Sequence, residues 1–84
     1  MAHDLSHIED ATLRQMVSKT LDVRHEKSPG ALSTGEALAA ALILNRPEWL
    51  ANMRYTICEA IDRLDGDGWV QRLREAERIV NETP

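Results

Sequence analysis

Asp65-Gly66-Asp67-Gly68 sets two aspartates in alternation with glycine, a pattern that suggests a calcium loop. The spacing fails at three places. Counted from Asp65, a calcium loop needs an oxygen at its fifth place, glycine at its sixth and glutamate at its twelfth. Trp69, Val70 and Ala76 stand there instead. The expectation is a turn in which Asp67 caps a following helix.

Other reactive residues are equally isolated. The histidines His3, His7 and His25 are dispersed, and no HExxH or cysteine pair accompanies them. Cys58 is the single cysteine, so it can form no internal disulfide and no multi-thiolate zinc site. No histidine follows residue 25 to serve it as a base, and a small buried hydrophobe beside an apolar stripe is expected. Ser28-Pro29-Gly30 and Ser33 lack the strand–turn–helix setting of a nucleophile elbow. Gly30 and Gly35 lead into no Gly-Lys-Ser/Thr phosphate loop. The residues therefore point to no enzyme, no cofactor and no metal. Contributing residues to a composite enzyme site of several subunits is the weakest reading.

Nucleic-acid recognition is the main alternative. Residues 34–44, the Asn45-Arg46-Pro47 turn and a helix from Glu48 have about the lengths of a helix-turn-helix, with Arg46, Asn52 and Arg54 facing phosphates or bases. Against it, Glu48 would meet the DNA first, and the turn lacks glycine. Further on, Arg72, Arg74 and Arg78 are diluted by Glu75, Glu77 and Glu82, which reads as a solvated face. Trp49 and Trp69 are the other notable side chains. Each falls in the first turn of an expected helix, where it covers an end of the core or anchors a partner.

The elements that carry these residues read as helices. Ser6 with Glu9 matches a capping box, and a stripe through Ile8, Leu13, Met16, Val17 and Leu21 predicts a helix over 7–23, with Asp10 and Arg14 paired on its outer side. Ser28-Pro29-Gly30 breaks the pattern, so 24–33 is a loop and a hinge. Ser33 with Glu36 opens a second helix over 34–44, apolar almost all round and so central to the core. Pro47 suits a first helical position. Thr56 with Glu59 is a third capping box, which divides 47–65 into helices at 47–53 and 57–65. A last helix spans 68–81, its face formed by Trp69, Leu73, Ala76 and Val80.

Composition bounds the whole. Eighty-four residues, 43% hydrophobic and with only four glycines and three prolines, suit one small helical domain rather than an entropic tail or a hairpin fold. No apolar run exceeds the eight residues from Ala37 to Leu44, so no membrane helix is expected, and the first residues lack a secretory pattern, which makes a cytoplasmic location the default. The net charge is -4, a poor start for counterion-driven binding to nucleic acid. No motif resembles a known family.

The expected fold class is all-α, a compact bundle of four or five short helices forming a single domain and completed by dimerisation. The expected function is non-enzymatic protein interaction, as in a regulatory or accessory protein of a bacterium or its mobile elements. Its contact residues are expected to be Met16, Val17, Leu21, Trp49 and Trp69. A homodimer through the first helix follows from the thin stability margin of so short a chain.

Overall fold

Three helix starts in this chain are set by short oxygen-bearing side chains, Asp10, Ser33 and Thr56, which take backbone N–H groups that a helix cannot satisfy itself. The computed structural model describes residues 4–84, and His3 lies outside them. Among the described residues the fold is all-helical: α1 (Ala11–Val23), α2 (Thr34–Ile43), α3 (Pro47–Asn52), α4 (Ile57–Gly66) and α5 (Leu73–Glu82). A single 3-10 turn, Val70–Arg72, leads into α5. Both later capping boxes form. Ser33 accepts from the Glu36 N–H at 3.2 Å and Thr56 from the Glu59 N–H at 3.1 Å, while each glutamate reaches back to the cap's own N–H.

The first box does not form. Ser6 gives both its N–H and its hydroxyl to Asp4, and Asp10 caps α1 by accepting from the Thr12 and Leu13 N–H groups. The helix thus begins at Ala11 rather than near residue 7. Leu5 and Ile8 explain why: both are buried, joined by a turn in which the Ile8 N–H meets the Leu5 carbonyl at 3.0 Å. The expected Asp10–Arg14 pair is absent too. Asp10 binds Arg72 at 2.7 Å, and Arg14 donates to the Ile8 carbonyl.

Three helices end in the same way. After α2, α3 and α4, the chain turns through a left-handed residue (Asn45 at φ 55°, Arg54 at φ 62° and Gly68 at φ 74°). The next N–H returns to the helix: Arg46 to Ala41 at 2.8 Å, Tyr55 to Leu50 at 2.9 Å and Trp69 to Leu64 at 3.0 Å. This is the Schellman closure, which satisfies the last carbonyls and reverses the chain. Asp65 and Gly66 therefore lie inside α4, and Asp67 closes α4 rather than capping the next helix. α5 starts later, after the 3-10 turn, without a side-chain cap.

Helix α2 is the centre of the molecule. Ala37 through Ala41 and Ile43 are buried, and α1, α3, α4 and α5 all pack on it. Its alanines let backbones approach from several sides, as an apolar surface all round requires. Met16, Val17, Thr20 and Leu21 close the α1 side, Trp49 and Leu50 the α3 side, and Leu64, Ala76 and Val80 the α4 and α5 sides.

Candidate interaction surface

Helices α4 and α5 both lean on α2, and between them its C-terminal end forms the floor of a shallow groove of about 190 Å³. Leu42 and Ile43 line the floor. Ile61 stands on the α4 side, with Leu73, Arg74 and Glu77 on the α5 side. Beside it runs the outer stripe of α4. Ile57 is 55% exposed and Ile61 40%, and these are the large apolar side chains left in solvent among the described residues. Their spacing of four residues puts them on one face, one turn apart. Asp65 continues that stripe by one more turn and is exposed.

Local sequence accounts for this exposure. Thr56 caps α4, so Ile57 is in its first turn, where no preceding turn shields it. Ala60 and Leu64 take the inward face, leaving Ile57 and Ile61 on its flank. In the sequence, Ile57, Ala60, Ile61 and Leu64 recur at spacings of three and four, and that spacing does not show that only the alanine and the leucine are covered. Cys58, next to Ile57, is exposed as well, against the expectation of burial.

Charge at the groove is sparse. Arg74, with 95% of its side chain exposed, approaches only Glu77, at 3.9 Å. Other arginines are engaged: Arg72 with Asp10, Arg78 with Glu75 and Glu82, Arg63 with the Tyr55 hydroxyl. The Asp65 carboxylate makes no hydrogen bond or ion pair among the described residues.

The residues expected from sequence at an interface lie elsewhere. Met16, Val17 and Leu21 are covered by the chain's own core. So is Trp49, which is 1% exposed and donates from Nε1 to the Lys27 carbonyl at 2.8 Å. Trp69 is half-buried and packs on the core just after the α4 closure.

Of the residues considered for nucleic acid, Arg46 is engaged within the chain, whereas Asn52 and Arg54 are exposed. Arg46 lies with its guanidinium 5.1 Å from the Trp49 ring centre and donates to the carbonyls of Arg24 and Glu26. Helix α3 is six residues, about 9 Å long at 1.5 Å per residue. Pro47, Glu48, Ala51 and Asn52 are the residues it presents to solvent. Arg54 is exposed beyond it, in the left-handed closure.

A larger groove of about 760 Å³ lies between the N-terminal segment and α5, among Asp4, His7, Glu9, Glu75, Arg78 and Glu82. Its carboxylates are partly engaged: Ser6 holds the Asp4 carboxyl below its usual range, and Arg78 does the same for Glu75. Among the described residues no three His, Cys, Asp or Glu side chains gather as a metal ion would require. None of the helices is long and apolar enough to cross a membrane. Comparison with protein-family models, curated proteins and solved structures finds no match.

Proposed function

We propose that this chain is a small, non-enzymatic helical module that works by binding another protein through the α4–α5 face. The supporting observation is the exposed Ile57–Ile61 pair beside a groove floored by Leu42 and Ile43. In a chain this short, leaving these two isoleucines about half exposed forgoes roughly half of the about 1.5–3 kcal/mol that full burial of each side chain contributes. A groove between two helices, apolar at its floor and charged at one lip, suits an amphipathic helix whose anchors recur at three and four residues. Interaction through Met16, Val17 and Leu21 would require α1 to leave α2, whereas the α4–α5 face is already open.

Selection from a displayed library of amphipathic helical peptides tests this reading. Selected peptides are expected to shift the amides of Leu42, Ile61, Leu73 and Arg74, and to lose binding to Ile61→Glu. That variant should keep its helical circular dichroism, because the side chain is at the surface, while Met16→Glu should lose it. Failure to select any peptide, or shifts confined to α1, would refute the α4–α5 face as the binding site.

A further inference from the structure

We infer that the occupant of the α4–α5 face is a second copy of this chain, docked about a two-fold axis with the two α4 helices antiparallel. This rests on the reading of that face as a binding surface and names its partner. A groove of this kind asks for apolar anchors one helical turn apart, with an acidic group nearby to meet Arg74. Helix α4 carries that set on its open stripe: Ile57, Ile61 and then Asp65, at spacings of four.

The charges match in detail. Arg74 is almost wholly exposed, with Glu77 as its one acidic neighbour, 3.9 Å away. The Asp65 carboxylate is likewise without an ion pair among the described residues, so each group is free to meet its counterpart across an interface. A two-fold arrangement uses both complementarities twice, because each copy supplies one stripe and one groove. It also covers Ile57 and Ile61 of both chains, the large apolar side chains that the chain's own core leaves out. The chain is acidic overall, at -4, so close approach of two copies is favoured where an arginine faces a carboxylate.

Sedimentation equilibrium over a range from micromolar to millimolar protein gives the first readout. The mass should rise from 9.5 kDa towards twice that value. Ile61→Glu should weaken association about ten- to a hundredfold, as expected for loss of a buried apolar anchor. Arg74→Glu should weaken it as well, and mixing Arg74→Glu with Asp65→Arg should restore a heterodimer, since one of its two contacts is then the native Arg74–Asp65 pair and the other the same pair with its charges exchanged. Isotope-filtered spectra of an equal mixture of labelled and unlabelled wild-type chain provide a readout that needs no substitution. Cross-peaks are expected between the Ile57 or Ile61 methyls of one copy and the Leu42 or Leu73 methyls of the other. A mass constant at 9.5 kDa throughout, or a dimer indifferent to Ile61→Glu, would overturn self-association. A constant mass with selected peptides still shifting Leu42 and Arg74 would overturn the second copy alone and leave the binding face standing.

Discussion

Arg46 joins two parts of the chain that are distant in sequence, residues 24–27 and the start of α3. Its guanidinium donates to the carbonyls of Arg24 and Glu26 and lies over the Trp49 ring, while Trp49 reaches the Lys27 carbonyl. Together they fasten the start of the 24–33 loop to α3. Arg46→Ala should cost about 1–2 kcal/mol, the worth of its hydrogen bonds and its contact with the ring. Trp49→Phe keeps most of the packing but removes the N–H, and should cost about 1 kcal/mol. The double variant should lose less than the sum, since either change alone loosens the same segment. Urea unfolding of the three variants checks this, and strict additivity would show that the two side chains act separately. An arginine in a helix–helix turn read equally well as a phosphate contact. Nothing in the sequence marked the carbonyls some twenty residues earlier as its partners.

At the scale of elements, the closures after α2, α3 and α4 make a sharper case. The left-handed position is occupied by asparagine, arginine and glycine respectively. Glycine adopts that conformation freely, whereas a side chain with a Cβ is penalised by about 1–2 kcal/mol. Arg54→Gly should therefore stabilise the protein by up to about 1 kcal/mol, and Gly68→Ala should destabilise it by a similar amount. Thermal and urea midpoints of the two variants should move in opposite directions. Movement in the same direction would mean that contacts of the Arg54 side chain outweigh backbone strain. Helix starts were legible in the sequence wherever a capping box was backed by a short helix, as at Ser33 and Thr56. At Ser6 the box was overridden because Leu5 and Ile8 had to reach the core, and burial is not a local property. The break between α3 and α4 followed from Thr56, but Asp67 was assigned to the wrong helix. Aspartate next to glycine suits either end of a helix, and only the return of the Trp69 N–H to Leu64 decides between them. The candidate surface was the least legible part. Period alone cannot tell which side of a two-turn apolar stripe lacks a neighbour.

The whole molecule carries several carboxylates tied to cations or N–H groups, and this sets its response to acid. The Arg72 hydrogen bond, followed by the Leu13 N–H, holds the Asp10 carboxyl below its usual value. For Glu36 the Gln15 amide is the leading cause, against some desolvation, with Ser33 adding to it. Asp4 and Glu75 are lowered as well. Between the folded value and the ordinary one, the unfolded chain binds more protons, so unfolding gains as pH falls. The contribution is fully present above the ordinary carboxylate range and is lost as pH drops through the lowered values. Urea midpoints should be level from neutral pH down to about pH 5, then decline. Arg72→Gln should make that decline shallower, because it removes the leading cause at Asp10, and an unchanged slope would place the acid sensitivity elsewhere. The fastening of the 24–33 loop has a further consequence for how this sequence can diverge. Its anchors on Arg24, Glu26 and Lys27 are carbonyl oxygens, which any residue at those positions would supply. The side chains of residues 25–28 all face solvent. Proline at 26 is the exception, since that N–H is given to the Val23 carbonyl. Residues 25–28 are thus written in backbone rather than in side chains, and descendants of this chain are free to rewrite them, or carry a grafted epitope there, without renegotiating the core.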